Sequence, residues 1–200
     1  MHADLPAQAL AAVATLVAAL IAGAVAFVNL TLTKELKTSE FRQAWIDALR
    51  EDLAKFLGAA RAFARAVEVV HTFGPEYKDK VPLLIGDEKI GELRYQAAET
   101  LSRIKLRLNP EEPEHEELLR LLVKAVRIQN EALASGGGVA DALAAIESAN
   151  EYARPVLKKE WKRVKQGELP FRITRNWLAP LIFLVSIAFL AFMWNGAFRI

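Results

Sequence analysis

The sequence contains no cysteine and only three histidines in 200 residues. Without cysteine the chain can form neither a disulfide bond nor a cysteine nucleophile. The histidines, His2, His71 and His115, lie far apart, and the sequence has no His-Glu-x-x-His run, Walker loop or serine elbow. Because titratable residues are not grouped as they are in active sites, the sequence predicts that the protein is not an enzyme and holds no cofactor.

Charged side chains are missing from both ends of the chain. None occurs from Leu5 to Leu30 or from Trp177 to Trp194, and each run is about as long as the ~20 apolar residues that a membrane-spanning helix needs. The sequence therefore predicts transmembrane helices at 5–32 and 175–196 around a charged segment, 33–174. A cleaved secretory signal is the alternative for the first run, but no Lys or Arg precedes it and it is longer than a signal core.

Strand-like alternation is lacking in the central segment, where apolar residues recur every three or four positions, as on an amphipathic helix. The pattern predicts a long helix at 33–73 and helices at about 87–108, 112–134 and 139–166. We therefore expect an all-α membrane protein whose terminal transmembrane helices flank an antiparallel helical bundle. The apolar stripe of the long helix consists of Ile46, Leu49, Leu53, Phe56, Ala60, Phe63, Val67 and Val70.

Basic residues are concentrated next to the two apolar runs, on the side of the central segment. Beyond the runs, toward the termini, only Arg199 is basic. By the positive-inside rule, the central segment is predicted to be cytoplasmic and both termini to lie outside the cytoplasm. The basic residues that carry this prediction are Lys34, Lys37, Arg42, Lys158, Lys159, Lys162, Arg163, Lys165, Arg172 and Arg175.

Three segments of the central part are distinctive: SEFRQAWIDALR at 39–50, LNPEEPEH at 108–115 and LKKEWKRVK at 157–165. They resemble segments of a group of bacterial inner-membrane proteins with one span at each end. The resemblance implies that the protein lies in a bacterial inner (plasma) membrane. No activity is established for the group, so the resemblance implies no mechanism.

One face of the first apolar run consists of small and mildly polar residues. Gln8, Thr15, Ala22 and Asn29 follow one another at seven-residue intervals, with Ala18 beside them. In lipid such a face either packs against another helix or turns toward water, whereas the second run is bulky all round and suits lipid contact. The pattern predicts a homo-oligomer with the first helices inside. It fits an ion channel lined by this face, and equally a dimer or trimer without a passage.

A membrane-anchored scaffold or sensor is the alternative function, since a helical bundle can recruit a partner while the spans only tether it. The sequence features that would separate the two functions are the polar groups of the first span. A pore needs small or polar groups along its wall, and a tether does not.

Basic residues near the spans are candidates for contacts with another subunit or with anionic lipid headgroups. Arg42 has no carboxylate three or four positions away, although a solvated arginine beside a core tryptophan is the plainer interpretation. Nucleic acid is not expected, because few aromatic residues interleave the basic run. The candidates are Arg42, Trp45, Lys158, Lys162, Arg163, Arg172 and Arg175.

The closest approach to a metal site is the acidic turn around His115, where Glu111 and Glu112 can share one helical face with the imidazole. However, the positive end of the helix dipole favours acidic residues at a helix start. The sequence therefore predicts helix capping at this turn and no metal.

Overall fold

The chain is helical except for short turns in the part that the structure, a computed structural model, describes: residues 7–77, 86–135, 137–167 and 169–197. These residues contain no strand, which confirms the predicted all-helical class. Contacts divide the chain into two units. The terminal unit comprises residues up to Arg42 and from Arg163 onward, and the central unit runs from Gln43 to Lys162.

The first helix, α1, extends without a break over Ala7–Phe73 and supplies residues to both units. A 3-10 turn, Gly74–Glu76, follows it. The other helices are α2 (Asp87–Arg107), α3 (Pro113–Ser135), α4 (Val139–Gln166), α5 (Leu169–Ile173) and α6 (Ala179–Ala197).

The central unit has one main hydrophobic core to which α1, α2, α3 and α4 all contribute. Of the stripe predicted for α1, Leu49, Leu53 and Phe56 belong to this core and Ala60 to a second, smaller cluster. Ile46, Leu49 and Phe56 are completely buried, whereas Val70 is half-buried. Burying such side chains is the main driving force for the packing of amphipathic helices. The main core includes Leu49, Leu53, Phe56, Ile104, Leu118, Leu122, Ala153 and Val156.

A buried carboxylate joins α1 to α2 within the central unit. Asp52, only 4% exposed, lies 2.7 Å from Arg107 Nε and 3.0 Å from Arg103 Nε. Arg107 donates a hydrogen bond to Asp52, whereas the Arg103 Nε–H is not directed at an acceptor, so that contact is an ion pair only. Gln129 Nε2 donates to the carbonyl of Ala60 at 2.6 Å, which ties α3 to α1.

The surface of the central unit is rich in ion pairs within and between helices. Arg120 donates two hydrogen bonds of 2.6 Å to Glu117, and this pairing lowers the pKa of the Glu117 carboxyl. Lys159 of α4 pairs with Glu114 of α3. Exposed pairs of this kind add little stability, but they show that the outer surface of the unit suits water.

Two helical segments are long and apolar enough to cross a membrane: the first part of α1, and Leu169–Ala191. Their apolar windows are 0% and 6% buried in the single chain. A core helix of a soluble protein would be mostly buried. Because these two segments are exposed in the single chain, we expect lipid or another protein chain to cover them.

A π turn at Thr174–Leu178 joins α5 to α6. The Ala179 N–H donates to the carbonyl of Thr174, five residues earlier, instead of the usual four. Pro180 follows Ala179. A proline has no N–H to donate to the preceding turn, and its ring clashes with the carbonyl four residues earlier. The wider turn relieves this conflict without ending the helical path.

Candidate functional site

In its apolar part, α1 has one face that lies toward α6. Val17, Ile21 and Ala24 line an apolar groove of about 390 Å³ together with Leu181, Ile182 and Val185 of α6. The half-buried positions of α1 extend this face at alternating intervals of three and four, the spacing of a coiled-coil seam. They include Ala14, Val17, Ile21, Ala24, Val28, Thr31 and Glu35.

The small, mildly polar face that the sequence predicts lies on another side of α1. Thr15, Ala18, Ala22 and Asn29 are all exposed. At about 100° per residue, Ala22 lies about 160° around the helix from Ala24 in the groove. The face therefore points away from α6 in the terminal unit. Gln8 belongs to α1, but its side chain is outside the described residues.

Few polar groups on this face remain available to another molecule. The Thr15 hydroxyl donates to the carbonyl of Ala11 at 2.9 Å, so its proton is already used within α1. The Asn29 side chain is exposed and has no partner among the described residues. Asn29 is therefore the strongest polar group that the face presents.

A second cavity, of about 370 Å³, lies between α1 and the turn that follows α4. Leu32, Leu36, Val164 and Phe171 form its apolar walls. Its polar groups belong to Glu35, Ser39, Lys165 and Arg175. We call it the basic pocket, because Lys165 and Arg175 are among its lining residues.

Gly167 forms the turn beside the basic pocket. It has a φ of +70°, which other residues rarely adopt, and its N–H donates to the carbonyl of Arg163 at 3.2 Å. A Cβ at this position would lie 2.7 Å from Phe171 Cδ1. The absence of a side chain thus lets the Phe171 ring lie directly against the turn.

Arg175 is held at the pocket by two contacts. Its guanidinium carbon lies 5.3 Å from the centroid of the Phe171 ring, a cation–π contact, and its Nε donates to Asn176 Oδ1 at 3.1 Å. Among the described residues, neither Arg175 nor the exposed Arg172 forms an ion pair. Both guanidinium groups can therefore bind an anion from outside the chain.

The other residues predicted to contact lipid or a subunit are distributed over both units. Arg42 and Arg163 are half-buried in the terminal unit, and each already interacts within the chain. Lys158 and Lys162 are exposed on the central unit. Trp45 is part of the central unit, where its Nε1 donates to the carbonyl of Arg107 at 3.1 Å.

The acidic turn around His115 forms a compact polar cluster in the central unit. A ring nitrogen of His115 and carboxylate oxygens of Glu112 and Glu160 lie within 4.8 Å of one another. His115 and Glu160 are 3% and 5% exposed, and the His115 ring centroid lies 5.8 Å from that of Trp45. Glu160 was missed at the sequence level, because it comes from α4, far along the chain.

The hydrogen bonds of His115 favour capping over metal binding. The backbone N–H of Asn109 donates to His115 Nδ1 at 3.1 Å, so the ring proton of a neutral imidazole is on Nε2. A metal ligand needs a nitrogen lone pair that is free, and this arrangement leaves neither nitrogen free. We interpret the cluster as a buried network that fixes the start of α3. Glu111 lies outside it, although its N–H donates to Asn109 Oδ1.

The chain matches no protein-family model, no curated protein and no solved structure. The resemblance of its three segments to a bacterial inner-membrane group stays a prediction, as does the absence of enzymatic activity.

Proposed function

We propose that the protein is a homo-oligomeric membrane protein whose α1 helices pack together through their small face and line an ion pore. The supporting observation is that two different faces of α1 lie on opposite sides of the helix. One face meets α6, while Ala18, Ala22 and Asn29 remain exposed on another side. Small residues allow helix backbones to approach closely in lipid. In such an assembly α6, whose exposed side chains are bulky and apolar, faces the lipid.

The central unit in this proposal is an antiparallel bundle in the cytoplasm of a bacterial cell. Trp45 contacts Arg107, while Asp52, further along α1, contacts Arg107 and also Arg103, one turn earlier in α2, which supports opposite directions for α1 and α2. The basic residues at both ends of the bundle segment support the cytoplasmic side.

Reporter fusions test this topology. A reporter inserted at Gly137 should show cytoplasmic activity, and one fused after Ile200 should show activity outside the cytoplasm, because the basic flanks retain the central unit inside. A fusion after Gln166, before the second apolar run, serves as the control and should report the cytoplasm. A cytoplasmic signal from the fusion after Ile200 would overturn the topology.

Ion flux into liposomes tests the pore. The purified protein should pass ions, and Asn29→Asp should raise the cation-to-anion permeability ratio about ten-fold, because a ring of carboxylates concentrates cations. The reversal potential in a salt gradient measures this ratio. Asn130→Asp makes the same chemical change at an exposed position of α3 and should leave the ratio unchanged.

Flux no greater than that of protein-free liposomes, under voltage, tension and pH change, would contradict the pore. A scaffold that recruits a partner is then the better function. It is favoured by an open cleft of about 500 Å³ on the central unit, where Trp161 keeps 37% of its surface exposed. The cleft is lined by Gln43, Asp47, Arg50, Arg154, Leu157, Lys158 and Trp161.

A further inference from the structure

The basic pocket and the apolar groove occupy the same pair of segments within the terminal unit. On α1 the groove includes Ile21 and Ala24, and the pocket begins at Leu32. At 1.5 Å per residue, Ala24 and Ile21 lie about 12 Å and 17 Å from Leu32 along the helix axis. Half of the hydrocarbon core of a bilayer is about 15 Å thick. The separation therefore matches the depth that an acyl chain of one leaflet reaches.

On the segment that runs from the π turn into α6, the pocket and the groove are separated by a similar distance. Arg175 lines the pocket, and Leu181 and Val185 line the groove. These two residues lie about 9 Å and 15 Å beyond Arg175 along the helix. A molecule with an anionic end at Arg175 and an apolar chain in the groove would therefore follow both helices.

The chemistry of the two cavities differs in the way that a phospholipid requires. The groove exposes only apolar side chains, while the pocket offers the Arg175 guanidinium and the Ser39 hydroxyl. The hydroxyl of Ser39 has no partner among the described residues. Glu35 and Lys165 also line the pocket, but each already interacts within the chain, so Arg175 is the cation on which phosphate binding depends.

A phospholipid explains both cavities better than the other occupants do. A free inorganic anion would use the pocket and leave the groove empty. An apolar helix segment from a second copy would use the groove but carries no anionic group for Arg175. Basic pockets beside membrane helices on the cytoplasmic side are known to suit anionic headgroups.

We propose that the terminal unit binds an anionic phospholipid, with its phosphate at Arg175 and one acyl chain in the groove between α1 and α6. The proposal rests on the membrane location proposed above but does not depend on a pore. The aromatic ring of Phe171 orients the Arg175 guanidinium toward the phosphate, and the side-chain-free turn at Gly167 makes room for that ring.

Spin-labelled lipids test the site in the full-length protein. The protein is reconstituted in phosphatidylcholine vesicles with a trace of spin-labelled phosphatidylglycerol or phosphatidylcholine, and the motionally restricted fraction gives the relative association constant. The parent protein should prefer phosphatidylglycerol. Arg175→Gln should reduce this preference about five-fold, the factor equivalent to about 1 kcal/mol per basic residue near an anionic surface.

Arg172→Gln is the matched control. It removes the same charge one turn away, from an exposed side chain that does not line the pocket, and it should reduce the preference far less. Equal effects of the two substitutions would overturn the site, because they would indicate a diffuse basic surface. Ala24→Phe fills the groove and should lower the restricted fraction of phosphatidylglycerol. An unchanged fraction would also contradict the proposal.

Membrane insertion and cross-linking of the same samples separate this inference from the proposed function. A protein that inserts and cross-links as an oligomer but binds both lipids equally has no such lipid site, while the oligomer proposal stands. A protein that alkaline carbonate extracts from the vesicles would overturn both. The expected result is an inserted oligomer that loses its lipid preference in Arg175→Gln and keeps its cross-linking pattern.

Discussion

Replacing Asp52 by alanine is expected to lower the free energy of unfolding of the central unit by about 3 kcal/mol, because two arginines then lose their buried counter-charge. The carboxylate is almost completely buried, while the Arg103 and Arg107 side chains are 39% and 34% exposed. This exposure places the expected loss at the lower end of the range for broken buried pairs. Urea unfolding of the full-length protein in detergent measures it, followed by the emission of Trp45 in a background in which Trp161, Trp177 and Trp194 are replaced by Phe.

Asp47→Ala is the matched control for this measurement. Asp47 lies on the same helix and pairs with Arg50 at 2.7 Å, but both side chains are 56% exposed. Exposed pairs of this kind are worth about 0–1 kcal/mol, so the control should unfold nearly as the parent does. If both substitutions lower the free energy of unfolding equally, the Asp52 ion pairs do not hold α1 to α2 as the distances indicate.

The position of Asp52 shows what periodicity can and cannot predict. The spacing of Leu49 and Phe56 predicts the buried face of α1, and Asp52, three residues after Leu49 and four before Phe56, falls on that face. The sequence therefore contained a signal that Asp52 is buried. It contained none for the identity of its partners, because Arg103 and Arg107 come from a helix some fifty residues away. Periodicity predicts which face of a helix is buried, but not which helix packs against that face.

The same limit applies to the polar cluster and the basic pocket. His115 and Glu112 are neighbours in the sequence, but Glu160 joins them only when α4 packs beside α3. The basic pocket depends on the turn at Gly167 and on the Phe171 ring that lies against it. Such a pocket depends on tertiary packing, whereas the two apolar runs follow directly from composition.

The free face of α1 gives the final prediction, a sharp difference between two neighbouring alanines. Ala22→Leu should raise the dissociation constant of the oligomer at least about ten-fold, because added methylenes overpack a closely packed face. Ala24→Leu makes the same change on the face that lines the groove with α6. The groove can accept the larger side chain, so this variant should associate as the parent does. Energy transfer between labelled subunits, measured over a dilution series in detergent, gives both constants.

The comparison isolates position on the helix, since both variants add the same side chain to the same apolar segment. Weaker association of Ala22→Leu alone would mean that the exposed small face holds subunits together. If Ala24→Leu alone weakened association, subunits would instead meet through the groove, and α6 would have to move from α1 for the oligomer to form. Unchanged association in both variants would contradict an interface on either face. The α1 helices would then not form the wall of a pore, because Asn29 can line a common passage only if the small faces of several α1 helices meet.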